Sequence, residues 1–229
     1  YRVNAAEMTK KVNAVLHCND WTGQTYSYSV YDYASKILAE PESSEYKSSA
    51  PLIKAMLNYG GYAQTYFNEK TDALANKGLY NKTNDPVLTT NTTVSKDYNY
   101  AVFNNNIGVS FIGGSLVLNS GTDLKLYYSI NDQNMANNIN VSVNGQNVAP
   151  EYDGNIMCVR VPDISISSLG DTYNVKISVN GKELNQKYSA MTYMYKALNS
   201  QNSNTKLNNV VKALYLYNEA AKQYSMEIE

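Results

Sequence analysis

The chain carries one histidine, His17, and little else that could serve as a catalytic base near neutral pH. This histidine stands beside Cys18 in an alternating stretch that predicts a strand. Nucleophilic catalysis needs a base that faces a Ser or Cys nucleophile in a recognisable motif, and the sequence around His17 contains none. The pattern therefore predicts a structural or surface role for His17.

The acidic residues do not form the patterns that glycosidases or metal sites require. Glu40, Glu42 and Glu45 fall in a Ser-rich link, which indicates a solvated segment and not a facing pair of carboxylates. The run Asn-Asp-Gln-Asn at 131–134 lacks the Gly and the terminal Glu of an EF-hand loop. We therefore expect no catalytic residue, no bound metal and no cofactor.

The two cysteines, Cys18 and Cys158, have no C-x-x-C spacing and do not predict a zinc site. They allow two other interpretations. A disulfide between them would close a long loop and stabilise the fold by about 4–5 kcal/mol in the chain-entropy model. Two buried free thiols are the alternative, since cysteine is commonly buried without a partner.

The composition favours recognition through aromatic side chains. There are 22 Tyr against three Phe and one Trp, and only 17% of the residues are charged. Tyr buries a ring while offering a hydroxyl, so it serves both half-buried packing and wet surfaces. Composition alone does not separate these two uses.

An internal repeat helps to separate them, because residues shared by two copies of a packing unit are expected to belong to its core. Residues 52–67 return near the C-terminus as residues 210–224. A protein built from duplicated packing units is more often a scaffold than an enzyme. The identical pairs include Lys54/Lys212, Tyr59/Tyr217 and Tyr66/Tyr224.

Positions where only one copy has an aromatic residue are the candidates for recognition. Tyr62, Tyr195 and Tyr215 stand where the other copy has Ala, Ser and Leu. Trp21 is predicted to lie in a hairpin turn, where it has little packing role, and exposed Trp and Tyr are enriched at protein interfaces. The alternative is that each of these side chains covers a neighbouring element. The predicted ligand-binding residues are Trp21, Tyr62, Tyr195 and Tyr215.

The first 67 residues predict a hairpin followed by two helices. Val12–Cys18 and residues 25–28 read as strands joined by Asn, Asp and Gly residues at 19–24. Ser29 and Asp32 form a capping-box pattern at the start of a helix over 30–40. A second helix starts at Pro51, and Gly60-Gly61 within it indicates close packing of a neighbour.

Residues 87–187 have a different pattern, with short runs of Val, Ile, Tyr and Ser between turn residues. Asn144-Gly145 and Asn180-Gly181 are typical of two-residue hairpin turns, and Gly113-Gly114 is also interpreted as a turn. Six to eight strands at this spacing predict an antiparallel, immunoglobulin-like sandwich. After it, residues 188–198 repeat the Tyr-Ser and Lys positions of residues 28–38.

The expected fold class is α+β, with an antiparallel β-sandwich and two repeated units of a hairpin and a helix pair. The predicted domains are 1–82, a hairpin with a helical pair; 83–187, the sandwich; and 188–229, a second helical pair. On this interpretation residues 1–67 are the back half of one module, and residues 87–224 form a complete module. A chain that opens on Tyr is expected to be a fragment of a longer protein.

Charge and hydropathy limit the partners. Nineteen Lys and Arg against twenty Asp and Glu give a net charge of −1, and there is no basic run that would neutralise nucleic-acid phosphates. No apolar run reaches the roughly 20 residues needed to span a bilayer. The N-terminus lacks a signal-peptide pattern. We therefore expect neither a nucleic-acid partner nor membrane insertion.

The motifs YSVYDYASKIL, LIKAMLNYGGYAQTYF and KALYLYNEAAKQY resemble a repeated module of very large cell-wall-attached surface proteins of gut Firmicutes. The resemblance covers nearly the whole chain and is weakest over residues 86–133. It implies an extracellular, non-enzymatic protein in which neighbouring modules of the same chain are partners. Some such proteins look like superantigens that bind immunoglobulin variable regions, and others resemble carbohydrate-handling assemblies. The expected function is host-protein recognition, with a glycan-binding module or a structural spacer as alternatives.

Overall fold

The structure, a computed structural model, describes residues 3–101, 107–118, 122–201 and 204–228. It combines helices with antiparallel sheets, as the α+β prediction requires. The helices are α1 (Val30–Ala39), α2 (Ala50–Phe67), α3 (Pro86–Thr89), α4 (Ala190–Leu198) and α5 (Thr205–Ile228). The strands are β1 (Val12–Cys18), β2 (Trp21–Tyr28), β3 (Val109–Val117), β4 (Thr122–Ile130), β5 (Ile139–Val143), β6 (Gln146–Val148), β7 (Glu151–Asp153), β8 (Ile156–Ile164), β9 (Tyr173–Val179) and β10 (Lys182–Tyr188).

The chain divides into two compact units. The first consists of Tyr1–Thr92 and Ser203–Glu229, and the second is Thr93–Asn202. These units differ from the predicted domains 1–82, 83–187 and 188–229, because α5 packs against α2 in the first unit while α4 packs against β3 in the second. The predicted boundaries follow the order of the sequence, whereas the units follow side-chain packing.

The helices of the first unit begin where local signals place them. The Ser29 side chain accepts a hydrogen bond from the Asp32 N–H, and the Asp32 carboxylate accepts one from the Ser29 N–H, which confirms the predicted capping box. Pro51 lies in the first turn of α2, where its missing N–H leaves no helical bond unmade. Asn68 ends α2 in the left-handed conformation, with φ of 54°.

The core of this unit lies between α2 and α5. The Tyr59 and Tyr217 rings stack with their centroids 5.9 Å apart, so the predicted pair of shared packing residues is a direct contact. A Cβ on Gly61 would lie 2.0 Å from the Asn76 side chain, and one on Gly60 would lie 2.6 Å from the Met8 sulfur. These close approaches confirm the packing interpretation of the two glycines and offset the helix propensity that they lack.

The second unit contains two four-stranded antiparallel sheets. Their strand orders are β10-β9-β5-β6 and β3-β4-β8-β7. Both Asn-Gly pairs form the predicted two-residue turns, with φ of 49° and 82° at Asn144 and Gly145 and 50° and 78° at Asn180 and Gly181. Burial alternates along β4 and β9, so each sheet has an apolar face that is shielded from water.

The predicted turn at Gly113-Gly114 is wrong. Both glycines lie inside β3, which pairs with β4 along its whole length with a register shift between Phe111 and Gly113. A Cβ on Gly114 would lie 2.9 Å from the Tyr188 hydroxyl. The glycine therefore makes room for a tyrosine of the other sheet, which local sequence does not reveal.

Among the described residues, none of the helices combines the length and the apolar character that a membrane-spanning helix needs.

Candidate functional site

The hairpin of β1 and β2 differs from its prediction in a way that changes the role of Trp21. The turn contains only Asn19 and Asp20, with φ of 50° at Asn19, and Trp21 is the first residue of β2. The predicted turn position of Trp21 is therefore wrong. Between Val15 and His17 the register shifts, and a Cβ on Gly23 would lie 2.7 Å from the Trp21 ring. The bulge lets the eight residues of β2 pair with the seven of β1. The missing side chain of Gly23 leaves room for the Trp21 indole.

The register of the hairpin divides its side chains into two faces. Val12 pairs with Tyr28, Ala14 with Tyr26 and Cys18 with Trp21, and paired residues project to the same side of a sheet. Leu16 shares this side, because it alternates with Ala14 and Cys18 along β1. We call this side the open face; its residues are Val12, Ala14, Leu16, Cys18, Trp21, Tyr26 and Tyr28.

The open face is uncharged and reaches water. Leu16 is 65% exposed, Trp21 57% and Tyr26 60%. Scattered surface apolar residues are normal, but a continuous group on one face of a hairpin indicates an interaction surface. The sequence interpretation identified Trp21 but missed Leu16 and Tyr26, although their alternation along the strands is visible once the strands are paired.

The opposite face of the hairpin is mainly polar and serves as an internal contrast. It carries Asn13, Ser27, Thr25 and one exposed apolar residue, Val15, and the His17 Nδ1 lies 3.0 Å from the Thr22 hydroxyl. His17 is thus exposed on the polar face of the hairpin. Only the open face concentrates large apolar side chains.

A single carboxylate holds both ends of the hairpin to α1. Asp32 accepts a hydrogen bond from the Lys11 Nζ at 2.9 Å, just before β1, and from the Ser29 N–H at 2.8 Å, just after β2. The Lys11 contact is the main reason that the pKa of Asp32 lies below its usual value, and the Ser29 bonds lower it further although partial burial opposes them. The Lys36 ammonium lies 5.1 Å from the Tyr28 ring centroid, at the same junction.

The other predicted ligand-binding residues lie elsewhere. The Tyr62 hydroxyl donates to Asp85 at 2.6 Å, and the same carboxylate accepts from the Asn58 amide at 3.2 Å. Burial, followed by the Asp85 contact, raises the pKa of Tyr62 well above its usual value. Tyr195 on α4 and Tyr215 on α5 are half-buried and belong to different compact units. Of the four predicted residues, Trp21 alone is on the open face.

The two cysteines are free thiols in different surroundings. Cys18 is exposed on the open face, whereas Cys158 is buried in β8. Burial raises the pKa of the Cys158 thiol. The structure therefore contains no disulfide between Cys18 and Cys158. The alternative of two buried thiols holds for Cys158 but not for Cys18.

A concave region lies in the second unit. It is an open cavity of about 630 Å³ lined by Tyr100, Asn174, Asn185 and Gln186, among others. Its ring and amide groups are the types that carbohydrate sites use. Among the described residues there is no group of three or more His, Cys, Asp or Glu side chains that could hold a metal ion.

Comparisons with protein-family models, curated proteins and solved structures found no match to the chain.

Proposed function

We propose that this chain is a recognition module of an extracellular, multi-module surface protein and that it binds a host protein through the open face. An immunoglobulin variable region is the first partner to test. The observation that supports the proposal is the exposure of Leu16, Trp21 and Tyr26 on one uncharged face. Burying such a face gains about 25 cal/mol of free energy per Å² of apolar area removed from water, which can drive protein association.

The chemistry of the open face favours a protein partner over a sugar. Trp and Tyr are the residue types most enriched among the energetic centres of protein interfaces. A sugar also needs several polar groups that hydrogen-bond its hydroxyls, and the residues named for the open face offer few of them: two tyrosine hydroxyls, the Trp21 indole N–H and the Cys18 thiol. The two-stranded hairpin exposes Leu16, Trp21 and Tyr26 on one side, where a partner protein can contact all three.

The proposal also includes the arrangement of the two sheets and the repetition of the hairpin–helix unit. The two four-stranded sheets would pack face to face as an immunoglobulin-like sandwich, and the hairpin with its following helix would occur twice. The Phe111 ring of β3 lies 5.6 Å from the Tyr188 ring of β10, which brings the two sheets into contact. Both hairpins are also followed by a helix with a serine capping box, at Ser29 and at Ser189.

Retention of serum immunoglobulin on the immobilised chain tests the proposed function. Trp21→Ala and Tyr26→Ala should each weaken retention about 5- to 30-fold, as expected for residues at the centre of an interface. Thr25→Ala and Ser27→Ala, on the opposite face of the same hairpin, are matched controls and should bind like the parent. Equal retention by all four variants, or none by the parent, would rule out this partner at the open face.

A carbohydrate-binding module is the second candidate, and the cavity beside Tyr100 supports it. Binding on a polysaccharide array that is lost in Tyr100→Ala and kept in Trp21→Ala would favour it. A structural spacer is the third, and it would bind in neither assay.

A further inference from the structure

The chain contains a second hairpin, β9–β10, that matches β1–β2 closely. In β1–β2 the last paired residues before the capping serine are Val12 and Tyr28, and in β9–β10 they are Tyr173 and Tyr188. The correspondence extends to the segment before each first strand. The Tyr31 N–H donates to the Met8 carbonyl at 2.9 Å in one case, and the Met191 N–H donates to the Leu169 carbonyl at 3.0 Å in the other.

The face of β9–β10 that corresponds to the open face is covered. Val175, Ile177 and Leu184 on this face are at most 1% exposed. Tyr188 is also buried, and Phe111 from β3 packs against its ring. At the positions of Val175 and Ile177, β1 has the exposed apolar residues Ala14 and Leu16, while β2 has the exposed Gln24 at the position of Leu184, counted back from the capping serine. One hairpin therefore shows the environment that suits this face, and the other offers the same face to water.

The backbone edge of β1 shows the same contrast. β9 pairs with β10 on one side and with β5 on the other. In the described part of the chain, β1 pairs with β2 alone. An isolated two-stranded hairpin is marginally stable in water, and an unpaired edge invites another strand. A lipid surface could cover the open face but would leave the N–H and C=O groups of this edge without partners.

From these two contrasts we infer that hairpin β1–β2 completes a pair of antiparallel sheets of the kind found in the second unit. There β5 pairs with β9, and β3, β4 and β8 belong to the other sheet, whose Phe111 packs against Tyr188. We call these four strands a sheet block. The block supplies a strand that pairs with β1 and an uncharged apolar sheet that covers Leu16, Trp21 and Tyr26. The inference rests on the proposal that the open face docks protein, and it names the class of partner as an antiparallel sheet sandwich, the class to which an immunoglobulin variable region belongs. Because the open face contributes no charged side chain to this contact, we expect its affinity to change little with salt concentration.

An extended chain tests the inference directly. Val3 stands as far before β1 as Ile164 stands before β9. A copy of residues 93–163 joined directly to Val3 therefore gives β1 the same spacing from a sheet block that β9 has. Trp21 is the only tryptophan in the unextended chain, and the copied residues add none, so its fluorescence reports on the open face.

In the extended chain we expect Trp21 emission to move to shorter wavelength and its acrylamide quenching to fall several-fold. Amide hydrogens along β1 should exchange several-fold more slowly than in the unextended chain. Leu16→Glu in the extended chain should restore the exposed emission, because it places a charge in the covered face. Thr25→Glu, on the opposite face, should leave Trp21 covered.

Unchanged Trp21 emission and quenching in the extended chain would overturn the inference, whether or not the added block folds, because a block that β1–β2 completes would fold on it. A concentration-dependent blue shift in the unextended chain would assign the face to a second copy instead and would also overturn it. Immunoglobulin retention is measured on the unextended chain. Failure of the proposed host partner and failure of this inference therefore give separate results.

Discussion

The two hairpins of this chain have similar local features but lie in different surroundings. Each has two antiparallel strands, a two-residue turn that starts with an Asn at positive φ, and a helix capped by serine. Leu184 in β10 is fully buried, whereas Leu16 in β1 is 65% exposed. Local sequence therefore determines the hairpin and its cap, while the covering of its apolar face depends on what the rest of the protein supplies.

The junction between hairpin and helix is shared more closely than the strand faces. The Lys196 ammonium lies 5.3 Å from the Tyr188 ring centroid, and Lys36 lies 5.1 Å from the Tyr28 centroid. Burial lowers the pKa of Lys196, which lies over the Tyr188 ring of β10 and the Phe111 ring of β3. The same pair of residue types thus serves a packed site in one hairpin and a half-open one in the other.

The largest expected difference between the hairpins lies in their leucines. Leu184→Ala should lower the free energy of unfolding by about 2–5 kcal/mol, because it leaves a cavity in a packed core. Leu16→Ala should change it by no more than about 0.5 kcal/mol, since the side chain is already in water. Urea unfolding followed by circular dichroism measures both. Similar losses for the two variants would contradict the contrast between covered and open faces.

A second comparison concerns Gly114, which lies against Tyr188, and its neighbour Gly113. Gly114→Ala should destabilise the second unit by about 1–3 kcal/mol, because the new methyl group would meet the Tyr188 ring and hydroxyl. Gly113→Ala is the matched control, since a Cβ there has no neighbour within 4 Å in the structure. Its thermal midpoint should stay at or above that of the parent. Equal midpoints for the two variants would mean that Tyr188 does not pack on β3 as described.

The two serine caps should behave alike, in contrast with the two faces. Ser29→Ala and Ser189→Ala should each lower stability by about 1 kcal/mol, because each removes the acceptor for an N–H in the first turn. Thr substitutions at the same positions retain a hydroxyl acceptor and should recover most of the loss. Thermal unfolding of the four variants measures this. A loss at one serine alone would show that the two junctions are not equivalent.

Sequence reasoning succeeded where the signal is local. Ser29 with Asp32, and Asn144 with Gly145, act within a few residues of chain, so their roles were predictable. Gly113-Gly114 was misinterpreted because the reason for Gly114 is Tyr188, which is distant in sequence. The position of α5 in the first unit likewise depends on its packing against α2.

The open face was only partly predictable for a related reason. Alternation of apolar residues along β1 and β2 predicts a face, but β9 and β10 show the same alternation on a buried face. Sequence therefore indicates that Leu16 and Tyr26 share a side with Trp21, but not whether a partner covers that side. The turn residues also misled the interpretation, because Gly23 reads as part of a loop although it supports a bulge under the indole.

The effect expected to be smallest near neutral pH concerns the Tyr188 hydroxyl, because it appears only at alkaline pH. Burial, followed by the neighbouring Tyr193, raises the pKa of Tyr188 to about 12, against about 10 for an unfolded tyrosine. The folded state therefore holds this proton more tightly, so the resulting stability is fully present below pH of about 10 and is lost as pH rises towards 12. Across that window the parent should lose up to about 1.4 kcal/mol per pH unit more than Tyr188→Phe, while the two differ little at pH of about 8. Urea unfolding at a series of pH values measures the difference. Parallel curves for parent and variant would mean that water reaches the Tyr188 hydroxyl, and that the face of β9–β10 is less completely covered than its geometry indicates.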